Sequence, residues 1–141
     1  MLDWSKSFET YLKLSHKQRV AIGQKSHEIL IKEIENLVEE EYLRPSLYLL
    51  SVGRFISLKE EFAREEYNFF KEVTGYSEEF DIFVKTVNNA KNNRVGEFLE
   101  VYFQKLGGEV LTAYLSLGLA LLTIKGEITE EEKQLIEKIH G

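Results

Sequence analysis

The sequence predicts an all-α, single-domain bundle of about seven to eight helices, two parts of which are related helix-turn-helix units. Three observations carry this expectation. The 141 residues include one proline, and most glycines fall between periodic segments, which favours long helices. Apolar residues recur at three- and four-residue spacing, and no run alternates long enough to form a strand. Finally, the chain resembles itself, without gaps, at an offset of 66 residues.

Taken in order, Asp3 can cap a short first helix with Trp4, Phe8 and Leu12 on one face. That face either docks on its own domain, the preferred reading, or meets a partner. Ser15 with Gln18 spells a capping box, in which each side chain satisfies the other's free backbone amide. It opens a long helix carrying Val20, Leu30, Ile31, Ile34, Leu37 and Val38 on one stripe, with His27 in the same stripe. The helix ends in the polar run Glu39-Glu40-Glu41. Pro45 suits the first turn of the next helix, where its missing amide costs nothing, and Leu47, Leu50, Val52, Phe55 and Ile56 follow.

A further helix is expected from either Ser57 or Ala63 to Thr74, closed by Gly75 in the left-handed cap position. Ser77 can cap a helix with Phe80, Phe83, Val84 and Val87. The stretch from Asn88 to Asn93 is the most loop-like. Val95, Phe98, Leu99, Tyr102, Phe103 and Leu106 then repeat at helical spacing until Gly107-Gly108. An apolar helix over Val110–Ile124 follows, and Thr129 opens the last one. Most of the aromatic residues, Phe98 included, fall at core spacing. Neighbours on a helix point about 100° apart. One member of each adjacent pair, Phe69-Phe70 and Tyr102-Phe103, is therefore expected at the surface or against a second subunit, as in a homodimer.

A net charge of −6 argues against a duplex-binding surface, which needs concentrated lysine and arginine. The absence of cysteine removes disulfides, thiolate zinc sites and cysteine nucleophiles. The start, Met-Leu-Asp-Trp-Ser-Lys, lacks the basic and apolar regions of a signal peptide, and the Val110–Ile124 run is too short to span a bilayer. A cytoplasmic bacterial protein without membrane insertion is the expectation.

The repeat lays Ser57–Gly75 over Thr123–Gly141. Lys59/Lys125, Glu61/Glu127, Glu65/Glu131, Glu66/Glu132 and Gly75/Gly141 are identical, and Phe62/Ile128, Phe69/Leu135, Phe70/Ile136 and Val73/Ile139 keep their class. Each unit, 47–75 and 113–141, reads as an apolar helix, a short charged connection and an amphipathic helix. Residues 1–44 precede them as helices without a motif. Two units are too few for a solenoid, but they can pack face to face about a pseudo-twofold axis.

From Tyr114 the run Tyr-Leu-Ser-Leu-Gly-Leu-Ala-Leu-Leu-Thr-Ile-Lys-Gly-Glu-Ile-Thr-Glu-Glu-Glu-Lys resembles the signature of the TerB-like (tellurite-resistance B) helical proteins. There an apolar helix runs into an Asp-Gly-Glu-apolar-Ser/Thr turn, and the halves are similarly duplicated. The resemblance covers about residues 47–141. It implies an all-helical fold, a stress- or envelope-associated role, and metal binding through acidic residues of the turns. The matching positions here are Glu127 and Glu132, with Glu61 and Glu66 as repeat partners. The turn aspartate, however, is replaced by Lys125 and Lys59. An ammonium there reverses one charge at each half-site and offers no oxygen to a hard cation.

Glu132 also has a purely structural use, because Thr129 with Glu132 forms a capping box and three acids in a first turn favour the helix dipole. His27 reads as a partly buried, hydrogen-bonded residue. Glu137 and His140 have the spacing of a di-iron ligand pair, but no second such pair exists. No nucleophile elbow, P-loop, zinc-protease helix or dinucleotide fingerprint is present. The expected function is a non-enzymatic protein-interaction module with no catalytic residue and no cofactor. Two alternatives stand beside it: a divalent-cation binder using Glu61, Glu66, Glu127 and Glu132, and an immunity-type protein that neutralises a cognate toxin.

Overall fold

Burial of one stripe per helix organises the chain. A computed structural model describes residues 4–56, 64–75, 79–90 and 94–141. These form α1 (Trp4–Leu12), α2 (His16–Leu37), α3 (Arg44–Ile56), α4 (Arg64–Thr74), α5 (Phe80–Ala90), α6 (Arg94–Leu106), α7 (Gly108–Leu122) and α8 (Glu130–His140), with a single 3-10 turn at Glu41–Leu43. There is no strand among the described residues, so the expected all-α class holds. No described helix is long and apolar enough to cross a membrane.

The bundle is built around α7. Its buried residues run from Ala113 through Leu122 with only Ser116 less than fully covered, which is why its sequence is apolar almost all round. The 22-residue α2 packs along it more extensively than any other helix, and α1, α3, α6 and α8 also touch it. Two aromatic seams tie the outer helices in. Phe55 of α3 and Phe103 of α6 flank Tyr114, at ring separations of 4.6 and 5.0 Å. On the other side, Phe83 of α5 meets Tyr67 and Phe70 of α4 at 5.2 and 5.0 Å. Tyr114 is fully buried and donates its hydroxyl to the Ser51 carbonyl at 2.9 Å, joining α7 to α3.

Local signals placed most ends. Both capping boxes form: Ser15 with Gln18 opens α2, and Thr129 with Glu132 opens α8. Pro45 lies in the first turn of α3. Gly75 and Gly141 close α4 and α8 with φ of +76° and +95°. The expected caps Asp3 and Ser77 lie outside the described residues, as do the alternative starts of α4 at Ser57 and Ala63.

Three expectations are corrected. Of the expected loop 88–93, Asn88, Asn89 and Ala90 are instead the end of α5, where two asparagines cost a terminal turn little, and 91–93 lie outside the described residues. Phe69 and Phe70 are both buried, because α4 lies between α2 and α5 and has an inner side wide enough for two adjacent rings. Phe98 belongs to the surface rather than the core. The first helix docks on its own domain, with Phe8 buried and the Lys133 ammonium 5.6 Å from its ring centre.

At the 66-residue offset α4 and α8 coincide over their whole length, and α3 and α7 end at matching positions, Ile56 and Leu122. Their surroundings differ. Helix α8 folds back on α7, whereas α4 packs on α2 and α5, and α3 takes α5 and α6.

Candidate functional site

Glu66 is fully buried on α4 and Glu132 is 4% exposed on α8. The Glu132 carboxylate accepts the Thr129 amide at 2.9 Å, while its own amide donates to the Thr129 hydroxyl at 3.1 Å. Glu127 faces solvent, and Glu61 lies outside the described residues. Among the described residues no three His, Asp or Glu side chains come together as metal ligands. Glu137 and His140 are exposed on the last turns of α8.

A pocket of about 310 Å³ opens where the α1–α2 turn meets α4 and the end of α7. Leu12, His16, Arg19, Glu65, Asn68, Phe69 and Ile124 are among its lining. Its buried cation is already committed to the fold. Arg19 donates to the Ala120 carbonyl at 2.8 Å, to the Thr123 hydroxyl, and to the Tyr11 carbonyl at 2.9 Å. One guanidinium thus fastens α1 and the end of α7 to α2. Burial lowers its proton affinity, but arginine keeps its charge in proteins. Beside it His16 is paired with Glu72 at the surface.

His27 sits half-buried in α2, its ring edge-on to Tyr48 with centres 4.7 Å apart. Its Nδ1 has no hydrogen-bond partner among the described residues. Burial lowers its pKa, partly offset by the charge of Glu28.

Among the described residues, four of the exposed large apolar side chains are on α6. Its inner side carries Gly96, Leu99, Glu100 and Phe103. A Cβ at Gly96 would stand 2.6 Å from the Leu50 carbonyl oxygen, so only glycine permits this approach to α3. Arg54 of α3 donates to the buried Glu100 carboxylate at 3.0 Å, a charge-assisted bond that fixes the helix in rotation. The outer side carries exposed apolar residues together with the exposed charges Arg94, Glu97 and Lys105. Phe98 is 59% exposed, Val101 44%, Leu106 45% and Val95 40%. Tyr102, half-buried, stacks on Phe98. Exposed large apolar residues are commonly scattered singly, as Leu43 and Ile82 are here, whereas Val95, Phe98, Val101 and Leu106 share one helix.

No family model matches the chain, and no curated protein or solved structure matches it.

Proposed function

We propose that this chain is a non-enzymatic protein-interaction module whose docking surface is the outer side of α6. The exposed apolar row Val95, Phe98, Val101 and Leu106, held on a helix whose inner side is pinned by Gly96 and the Arg54–Glu100 bond, carries this reading. Aromatic and aliphatic side chains on a rigid element supply contact area at small entropic cost, which is what binding hot spots require. Of the exposed charges, Glu97 lies at the edge of this row and Lys105 within it, between Val101 and Phe98.

The module is of TerB-like type in this reading, and cytoplasmic. The signature-like run from Tyr114, the coincident bounds of α4 and α8 at the repeat offset, and the left-handed Gly75 and Gly141 support that assignment and the duplication behind it. Association with a stress- or envelope-linked complex follows from the resemblance alone.

Comparative affinity capture from the source cell tests the proposal, with the wild-type chain and Phe98→Asp as parallel baits. Proteins retained by the wild type and lost with the variant are the expected result. Identical recoveries with both baits would sink it.

A further inference from the structure

Arg19 fastens three segments with only part of its guanidinium. The Thr123 hydroxyl and the Tyr11 carbonyl lie 3.4 Å apart and accept from different nitrogens, Nη1 and Nη2. They therefore fill the fork between those two nitrogens, and the Ala120 carbonyl takes the second Nη1 hydrogen. An arginine side chain has Nε–H and two hydrogens on each Nη, so Nε–H and the outer Nη2 hydrogen are left over. Neither has an acceptor among the described residues. These two donors point the same way, at the spacing of two carboxylate oxygens.

The cation is 5% exposed, and no described carboxylate forms an ion pair with it. A buried charge without a countercharge is costly, and buried charges are as a rule paired. Arg19 also lines the 310 Å³ pocket at the α1–α2 turn. Buried Arg19 and Phe69 form the inner end of that pocket, and exposed Glu65 and Asn68 of α4 stand at its mouth.

We propose that this pocket binds a small amino acid, anchored by its carboxylate on the free fork of Arg19. The site is separate from the α6 surface and does not depend on it. A carboxylate supplies the missing countercharge, and the charges round the opening choose among anions. Glu65 is in the lining, Glu72 stands beside it paired with His16, and Arg19 is the one arginine or lysine among the described lining residues. A phosphate would bring more negative charge to a mouth that is already acidic. An amino acid carries its own ammonium, which Glu65 can hold, so its two charges match the two on the protein. Its carbon skeleton lies on Leu12, Phe69 and Ile124. The volume is at the small end of the range for ligand pockets, roughly 300–1,000 Å³, which suits a single amino acid.

Titration of the full chain with leucine and with ε-aminocaproate, followed by heteronuclear NMR and by the thermal midpoint, tests this. Leucine holds its ammonium beside the carboxylate, whereas ε-aminocaproate holds it at the far end of the chain. Saturable shifts of the Leu14, Asn68 and Ile124 amides and a raised midpoint are expected with at least one of them, and the preferred one reports the spacing of the two charges. Isoamylamine and amylamine, the same skeletons without a carboxylate, should give neither effect. Isocaproate and caproate, which lack the ammonium, should bind about tenfold more weakly than the matching amino acid. Glu65→Gln, at an exposed position, should keep the midpoint of the unliganded chain and abolish that tenfold preference. No saturable shift with either amino acid, or shifts confined to other parts of the chain, would overturn the proposal. So would amines or inorganic phosphate that bind as tightly as the preferred amino acid, or a preference that Glu65→Gln leaves intact.

Discussion

Phe98 and Tyr102 stack one turn apart on the outer side of α6, ring centres 6.4 Å apart and planes 13° from parallel. Phe98 is 59% exposed and Tyr102 half-buried. Replacing Phe98 by Ala removes a side-chain pair of the i, i+4 kind, worth about 0.2–0.5 kcal/mol, and buries no cavity. Urea unfolding of Phe98→Ala should therefore give a stability within about 0.5 kcal/mol of wild type. A loss above about 2 kcal/mol would mean that the ring is packed in the fold.

Arg19 behaves differently, although no acidic side chain is among its hydrogen-bond partners. Arg19→Met keeps much of the stem but removes the donors to Ala120, Thr123 and Tyr11. Leaving buried acceptors without a donor costs about 1–3 kcal/mol each. A total loss of about 3 kcal/mol is expected after partial rehydration, read from the unfolding midpoint at constant m-value. A shift too small to measure would show that the three bonds add nothing.

Gly118 is a matter of space rather than backbone freedom. A Cβ there would lie 2.3–2.6 Å from three atoms of the Phe55 ring, and Phe55 is fully buried against Tyr114. Overpacking of this kind costs about 1–3 kcal/mol. Gly118→Ala should lower the thermal midpoint accordingly, and Phe55→Leu in the Gly118→Ala background should recover part of it. A neutral Gly118→Ala would mean that α3 and α7 separate freely.

His27 supplies the pH dependence. Its pKa in the folded chain is lowered by burial, below an unfolded reference of about 6.5. As pH falls the unfolded chain therefore takes up the proton first. Stability from this residue is complete above about pH 6.5, declines as pH falls toward the lower folded value, and levels off once both states are protonated. Denaturant midpoints measured from about pH 7 to pH 5 should fall for the wild type and fall less for His27→Leu. Parallel slopes would rule out this residue as the source.

What was legible beforehand was local. Ser15–Gln18 and Thr129–Glu132 announce helix starts through contacts three residues apart, and Gly75 announces an end. The apolar α7 was visible because nearly every position is covered. The buried line of α2 was only half visible, since it reads Arg19, Gly23, Ser26, Leu30 and Ile34. Its spacing is helical, but small and polar residues occupy the end where α2 lies closest to α4 and α7. Gly23 marks that closeness, because a Cβ there would stand 2.6 Å from Val73. Helix α6 failed for the opposite reason. Apolar residues surround much of it, so periodicity alone places Phe98 in the core. The inner side is marked instead by Gly96 and by Glu100, whose partner Arg54 is 46 residues away and invisible to local reasoning. The Glu66 and Glu132 carboxylates share a repeat position and deep burial, but among the described residues neither joins a ligand cluster.

The most direct test of the α6 surface is photocrosslinking in the source cell, with a photoreactive phenylalanine at position 98 and a control at the exposed Lys17 of α2. A discrete adduct from position 98, absent from position 17, is the predicted result, and its mass reports a second copy or another protein. No adduct from 98, or the same pattern from both positions, would contradict the assignment of α6 as the docking surface.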